Sequence, residues 1–352
     1  MILQIIVIAL AALAYLVRVP EAWIERVYTR GVYSRLQPVV TAVSNRVPFA
    51  LLDVLLVAGL ALLAIGVVRT VARARRGSAL GAAGRFAWNL LAAAAGVYLV
   101  FLGAWGLNYQ RQPIAERLAF DPSAAGHDEA VRLARSVVTE LNGLHDRAHA
   151  EGFPDWARLR PVMDPAFQAV QGLLTPGVGA RTGVPKRTLL GYYFERAGVS
   201  GMTDPFLLEV LVDRNLLPFE RPFVLAHEWA HLAGYADESE ANFVGWLTCV
   251  NGAAPAAYSG WLYLYEEVLA ALPREERVGL VRALAAGPRA DLTAVAQRTR
   301  RIHPLLQAVS WRVYDRYLKA NRVGEGVASY DRALVLVLGS RFVNGWKPVL
   351  KK

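Results

Sequence analysis

Three apolar runs near the N-terminus constrain this chain more than any other feature. Residues 2–17 and 86–107 contain no charged side chain, and residues 48–68 contain only Asp53. A helix needs about 20 apolar residues to cross a bilayer core of about 30 Å, so the second and third runs are long enough and the first is slightly short. The first run lacks a preceding basic region and a small-x-small cleavage site, which favours an uncleaved anchor over a signal peptide. The sequence therefore predicts three transmembrane helices within a membrane domain of residues 1–107.

The arginines predict the orientation of this membrane domain. Five of them and no acid lie in residues 69–85, between the second and third runs. The positive-inside rule places such a linker in the cytoplasm, so residues 108–352 are expected outside the cytoplasmic membrane. The first linker argues against this orientation, because residues 18–46 also hold five arginines, diluted by Glu21 and Glu25.

The formal charge of +10 also comes mainly from the membrane domain. Residues 1–107 hold ten arginines against Glu21, Glu25 and Asp53, a net charge of +7 that leaves +3 for residues 108–352. Residues 108–352 contain no basic stripe with interleaved aromatic residues, which is the pattern expected of a nucleic-acid-binding surface. We therefore expect a lipid bilayer as partner and no nucleic acid.

Residues 108–352 are predicted to be mostly helical with a small β part. Apolar residues recur at helical spacing over residues 128–150 and from residue 220 onward, where glycines and prolines divide the chain into about six helices. Strands are predicted at residues 188–194 and 206–212. The second of these could pair with an extended peptide beside a catalytic helix, or could simply fill the core.

The sequence His227-Glu228-Trp229-Ala230-His231 is an HExxH motif in an apolar helical run. Histidines four residues apart lie on one face of a helix, so both imidazoles can bind one Zn²⁺ ion. Glu228 follows the first histidine and can act as the general base toward a water on that ion. The motif predicts metal-assisted hydrolysis.

A catalytic zinc needs a third protein ligand, and three carboxylates follow the motif. Gly234 is expected to end the helix and return the chain toward the metal. Asp237 would complete a metzincin-like HExxHxxGxxD pattern, but every methionine precedes the motif, so the methionine turn of metzincins is absent. Glu240 opens the next apolar run and suits the gluzincin arrangement, in which a glutamate of the following helix binds zinc. Glu240 is therefore preferred, with Asp237 and then Glu238 as alternatives.

The motif, the following Glu240-Ala241-Asn242, the three apolar runs and the sequence Asn108-Tyr109-Gln110-Arg111 together resemble the bacterial family known as domain of unknown function 3810. The resemblance extends over nearly the whole chain. It implies a multi-pass membrane protein, mainly α, in which three transmembrane helices precede an α+β zincin-like domain at residues 108–352. It supports Glu240 as a ligand and implies no substrate.

These features predict a membrane-anchored zinc metallopeptidase that hydrolyses peptide bonds of extracytoplasmic or envelope proteins or peptides. The alternative is a non-catalytic membrane scaffold or binding protein with a degenerate peptidase domain. Burying two histidines and a glutamate without a partner would be costly, which favours a metal. An intramembrane protease is disfavoured, since charged residues bound the apolar run around the motif closely.

Several other polar residues have side chains that could bind a metal or donate to a substrate. His145 and His149 are also four residues apart, but their charged neighbours indicate a solvated helix face. Cys249, the only cysteine, is expected to be a small buried residue. The oxyanion formed during hydrolysis needs a donor, for which the candidates are Tyr193, Tyr235, Tyr258, Tyr330 and His303.

Overall fold

Helices account for most of residues 1–321, 332–343 and 345–351, which are the residues that the computed structural model describes. The predicted mainly α fold is confirmed at this level. The N-terminal elements are α1 (Ile2–Leu16), α2 (Glu21–Trp23), a π-helix (Ile24–Tyr33), α3 (Ser34–Ser44), α4 (Leu51–Arg76) and α5 (Ala79–Ala104).

Helices α4 and α5 are long and apolar enough to cross a membrane. Each has 26 residues and is therefore roughly 39 Å long. Both helices extend through the predicted arginine linker, because arginine is a good helix former, and only Gly77 and Ser78 separate them. Ser78 caps α5, since its hydroxyl accepts a hydrogen bond from the Gly81 N–H at 3.2 Å.

The predicted span at residues 2–17 corresponds to α1, which has only 15 residues. A third span of sufficient length arises only if α1 is joined with residues 21–44, from which it is bent by 117°. Helix α1 packs along α5, where Gln4 accepts a hydrogen bond from Trp88 at 3.0 Å and donates one to Asn89 at 2.8 Å. The structure thus supports two spans, and the third stays a prediction.

Residues 21–44 contact the C-terminal region across the predicted boundary at residue 107. Thr41 donates to the Leu208 carbonyl at 2.9 Å, and Gln37 donates to the Arg181 carbonyl at 2.8 Å. Tyr28 and Tyr33 are buried in the same core as the motif helix. The segment between α1 and α4 is therefore part of the scaffold around the site.

The C-terminal region is a helical assembly around a small sheet. Strand β3 (Val210–Val212) is central in the sheet. It is parallel to β1 (Pro185–Lys186) and antiparallel to β2 (Gly201–Thr203), where Met202 pairs with Leu211. The elements are α6 (His127–Glu151), α7 (Trp156–Leu174), β1 (Pro185–Lys186), α8 (Gly191–Ala197), β2 (Gly201–Thr203), β3 (Val210–Val212), α9 (Arg221–Leu232), α10 (Glu238–Val250), α11 (Ala254–Ala271), α12 (Arg274–Ala283), α13 (Ala286–Thr299), α14 (Pro304–Ala320), α15 (Arg332–Gly339), β4 (Phe342–Val343) and β5 (Lys347–Pro348).

The strand prediction for residues 188–194 was wrong, and the one for residues 206–212 was too long. The first segment contains a turn and the start of α8, which ends at Gly198 in a left-handed conformation. Its apolar residues Leu189 and Tyr192 are exposed, so they do not form the buried face that a strand pattern assumes. Of the second segment only Val210–Val212 is a strand.

Helices α9 and α10 lie at the centre of the core. Almost every side chain of both helices is buried, among them Trp229, Phe243 and Trp246. Cys249 is buried in the same place, as predicted. Polar side chains on these two helices must find partners within the protein, because water does not reach them.

Candidate metal centre

The two motif histidines converge within α9. Pro222 stands in the first turn of this helix, and the Gly234 that follows its end has φ +85°. His227 and His231 are one turn apart, and their Nε2 atoms are separated by 3.1 Å. Both imidazoles therefore direct a nitrogen to the same point, as the spacing predicts.

The structure brings Glu238, not Glu240, to this point. The Glu238 Oε2 atom lies 3.4 Å from both Nε2 atoms. Glu238 and Glu240 are two residues apart at the start of α10, so they project about 200° apart around the helix and only one of them can face the histidines. From the sequence, Glu240 is the preferred ligand and Glu238 the last of the three candidates.

Glu240 and Asp237 have other roles in the structure. The Glu240 Oε1 atom accepts a hydrogen bond from the buried Ile114 N–H at 2.5 Å. Burial and the nearby Asp237 charge raise the pKa of Glu240 to about 7. Asp237 caps α10, since its carboxylate accepts from the Ser239 N–H at 2.9 Å and the Glu240 N–H at 3.4 Å.

The spacing of the three ligand atoms fits a tetrahedral zinc ion. Ligands at about 2.0–2.1 Å from such an ion are separated from each other by about 3.3–3.4 Å. The observed separations among His227, His231 and Glu238 are 3.1, 3.4 and 3.4 Å. Three protein atoms at this spacing would leave a fourth position free, as catalytic zinc sites do.

Neighbouring groups orient two of these three side chains. The His231 Nδ1 atom lies 2.8 Å from the Tyr235 carbonyl oxygen, which can only accept, so Nδ1 carries the proton and Nε2 is free to bind. The Tyr314 hydroxyl on α14 donates to Glu238 Oε1 and leaves Oε2 facing the histidines. The buried His227 Nδ1 atom has no hydrogen-bond partner among the described residues.

The electrostatics of the centre favour a positive charge. Burial lowers the pKa of His231, but the Glu238 carboxylate outweighs this effect and raises it to about 9. Burial acts in the opposite direction on Glu238 and raises its pKa, but the two histidines outweigh this effect and bring the pKa well below its usual value. Glu238 therefore stabilises positive charge where the imidazoles meet, and a divalent cation would satisfy it in place of a proton.

Glu228 is buried beside this centre against strand β2. Its Oε2 atom accepts a hydrogen bond from the Thr203 hydroxyl at 2.8 Å. Gly201 provides the space for this carboxylate, since a Cβ at Gly201 would stand 2.5 Å from Glu228 Oε1. Burial raises the pKa of Glu228, although the two histidines oppose this. Neither Thr203 nor Gly201 has a sequence signal that links it to the motif.

Segments next to the membrane helices cap the C-terminus of α9. Its last carbonyls have no partner within the helix. The His231 carbonyl accepts from the Trp105 indole at 2.9 Å, and the next one, of Leu232, accepts from the Tyr33 hydroxyl at 2.8 Å. Arg111 donates to the Ala233 carbonyl at 3.2 Å. The segments at the ends of the candidate membrane helices therefore hold the motif helix in position.

In the part of the chain that the structure describes, no predicted oxyanion donor forms a side-chain hydrogen bond to the three converging side chains, although Tyr235 contacts His231 through its backbone carbonyl. Tyr193, Tyr235 and Tyr258 form hydrogen bonds with Ser310, Thr175 and Asp291 respectively. His303 caps α14, and Tyr330 lies outside the described residues. The Tyr314 hydroxyl contacts the centre through Glu238, and this residue is far from the motif in the sequence.

Comparison with protein-family models shows where the chain belongs. The model of the family described as "Protein of unknown function (DUF3810)" matches residues 28–338. The chain belongs to this family. The matched region includes α3–α5, the whole metal centre and the Tyr314 that orients Glu238. Searches of curated proteins and of solved structures found no significant match.

Proposed function

We propose that this chain is a membrane-anchored zinc metallopeptidase with a zincin-like site, in which His227, His231 and Glu238 hold the metal and Glu228 is the general base. The observation that carries this proposal is the convergence of the three ligand atoms at zinc-compatible spacing, with a buried glutamate beside them. When bound there, Zn²⁺ would polarise the substrate carbonyl and acidify the attacking water.

The side chains of the protein would handle the proton in this reaction. Glu228 accepts the proton of the attacking water and later transfers it to the amine nitrogen that leaves. Its raised pKa suits this role, because the carboxylate can hold the proton between the two steps. The Thr203 hydroxyl fixes the rotamer of Glu228 during both transfers.

Strand β2 provides a place for an extended peptide. It is at the edge of the three-stranded sheet and carries Gly201 and Thr203 against Glu228. A peptide that adds to this edge would pass beside the metal centre. We assign this role to β2 and not to the segment at residues 206–212. That segment contains β3, which is the central strand of the sheet and has no free edge for a peptide.

The contacts of residues 21–44 support the proposed orientation in the membrane. If α1, α4 and α5 each cross the bilayer, residues 17–50 and everything after α5 lie on the same side, as their mutual hydrogen bonds require. The arginine-rich tip around Gly77 and Ser78 then lies on the opposite, cytoplasmic side. The five arginines in residues 18–46 belong to the scaffold on the outer side, so they do not mark a cytoplasmic loop. The proposed substrates are therefore envelope proteins or peptides.

Cysteine labelling in intact cells tests this orientation. The chain has one cysteine, Cys249, which is buried, so the background labelling by a membrane-impermeant maleimide should be low. A cysteine introduced by Ser78→Cys should be protected, and one introduced at the exposed Gly143 should be labelled. The opposite pattern would place the metal centre in the cytoplasm.

Zinc content tests the ligand set. Full-length protein in detergent is loaded with zinc, desalted and analysed by plasma mass spectrometry. Glu238→Gln should lose one equivalent per chain, whereas Glu240→Gln, a matched change of a buried glutamate on the same helix, should retain it. Retention by Glu238→Gln together with loss by Glu240→Gln would restore the ligand that the sequence analysis preferred.

Peptide cleavage tests the activity. The zinc-loaded protein is incubated with a mixed peptide library, and new termini are identified by mass spectrometry. Glu228→Gln should keep its zinc and lose cleavage by at least about 100-fold, the lower range for a general base. Undiminished cleavage by this variant would exclude Glu228 as the base.

A second candidate function is a non-catalytic scaffold or binding protein stabilised by the same metal. The burial of the centre favours it, since Glu228, His231 and Glu238 are 3%, 7% and 5% exposed. In addition, Tyr314 of α14 lies against Glu238. A protein that binds zinc, cleaves no peptide and melts at a lower temperature after zinc removal would support the scaffold.

A further inference from the structure

A second cluster of metal-ligating side chains lies between α6 and α13. His145 and His149 project from α6 toward Asp291 of α13. The Asp291 Oδ2 atom is 2.8 Å from His149 Nε2 and 3.7 Å from His145 Nε2. The charged neighbours of the two histidines in the sequence indicate a solvated helix face, and no sequence pattern links them to Asp291, which lies 142 residues after His149.

Asp291 is a buried carboxylate with few partners. It is 9% exposed, and the Tyr258 hydroxyl donates to its Oδ2 atom at 2.7 Å. Among the residues that the structure describes, no lysine or arginine nitrogen lies within 4.0 Å of it. Its negative charge therefore faces the two imidazoles, and a buried carboxylate without a cation is unfavourable.

The fold holds the first histidine in place. The His145 ring packs directly on Gly287, where an added Cβ would stand 2.2 Å from the imidazole. The Asp146 carboxylate lies 2.8 Å from His145 Nδ1, which fixes the tautomer that leaves Nε2 free. The Asn142 Oδ1 atom accepts a hydrogen bond from the Ala285 N–H at 2.7 Å, which holds α6 against the start of α13.

Aromatic rings surround the second histidine. The His149 ring lies 5.2 Å from Phe153 and 5.9 Å from Tyr258, measured between ring centroids. The side chain of His149 is nevertheless 38% exposed, so solvent reaches one side of the cluster. An ion bound here would have an apolar wall on one side and an entry path on the other.

We propose that His145, His149 and Asp291 form a second metal site, which binds a Zn²⁺-like transition-metal ion and links α6 to α13. Two imidazoles and one carboxylate are borderline ligands that suit zinc better than calcium or magnesium, which prefer oxygen. Three protein ligands leave one position for water from the exposed side. The site shares no residue with the HExxH centre and does not depend on the proposed function.

Metal stoichiometry of the full-length protein in detergent, with any affinity tag removed, tests this proposal. The probe is Zn²⁺ alone, and bound zinc is counted after desalting. Asp291→Asn preserves the shape of the carboxylate, and His145→Ala removes one imidazole, so each should lose one equivalent relative to wild type. His127→Ala is the matched control. This exposed histidine is also on α6, and its ion-pair partner among the described residues is Glu276, which is not part of the cluster.

A thermal shift provides a second measurement. Added Zn²⁺ should raise the melting temperature of His227→Ala/His231→Ala, because the second site remains, and should raise it less when Asp291→Asn is added. This holds whether or not the HExxH centre binds metal, so the two proposals fail separately. Unchanged zinc content in both Asp291→Asn and His145→Ala, with no difference in thermal shift, would overturn the second site.

Discussion

Replacing Glu209 by glutamine should weaken the attachment of membrane helix α4 to the sheet. The Glu209 carboxylate accepts hydrogen bonds from the Leu51 and Leu52 N–H groups, at 3.1 and 2.8 Å, at the first turn of α4. It also forms an ion pair of 2.7 Å with Lys186 of β1. The side chains of this pair are only 2% and 1% exposed. The pair therefore joins α4 to the C-terminal region at a site that is buried from solvent.

The expected loss of stability follows from this burial. Removing one partner of a buried ion pair costs about 3–5 kcal/mol, because the other charge is left without compensation. Glu209→Gln removes the negative charge 2.7 Å from the Lys186 ammonium, whose other hydrogen-bond acceptors are the neutral Ser44 carbonyl and hydroxyl. For a region of this size the melting temperature should fall by about 6–20 °C. Lys186→Met should cost less, about 1–3 kcal/mol, since the end of α4 still donates to the carboxylate.

Thermal unfolding of the full-length protein in detergent, followed by tryptophan fluorescence, measures both effects. Lys319→Met is the control, because its ion pair with Asp315 is on the surface and should contribute less than about 1 kcal/mol. The double variant Lys186→Met/Glu209→Gln should be more stable than the sum of the single losses predicts. Additive losses, or a Glu209→Gln variant that melts like Lys319→Met, would show that this ion pair does not couple α4 to the sheet.

Three further predictions concern glycines that pack on the HExxH motif and the buried Asp204. Gly201→Ala should displace the Glu228 carboxylate by about 1 Å and reduce peptide cleavage roughly 100-fold, with zinc content unchanged; zinc loss would indicate wider disruption. Gly245→Ala places a Cβ 3.0 Å from the backbone nitrogen of His227 and should destabilise the protein by about 1–3 kcal/mol. The control is Gly143→Ala, whose Cβ meets open space on helix α6 and should stabilise the protein by about 0.5–1 kcal/mol. Equal melting temperatures would exclude this packing. Burial raises the pKa of Asp204 from 3.8 to about 6, so the folded state binds this proton more tightly and stability should fall by about 3 kcal/mol as pH rises through that interval. Asp204→Asn should flatten this part of the stability profile, and an unchanged profile would contradict the assignment.

Local sequence patterns predicted those features that depend on neighbours in the chain. The apolar runs gave α4 and α5, because crossing a bilayer requires only length and hydrophobicity. The four-residue spacing of His227 and His231 gave their convergence, because helix geometry alone brings such residues together. Residues 188–194 carry a strand-like apolar pattern, but Leu189 and Tyr192 are exposed and the segment begins a helix instead of a strand.

Patterns along the chain were therefore enough to predict the two candidate membrane helices, the motif helix and two of the three converging side chains. Tertiary structure determined the third, since the choice between Glu238 and Glu240 depends on the angle at which α10 meets α9. It also brought Tyr314 to Glu238, and Asp291 to two histidines that looked solvated. All three contacts have the same cause. Spacing along the chain predicts which residues share one face of a helix, whereas contacts between helices depend on how their buried faces pack.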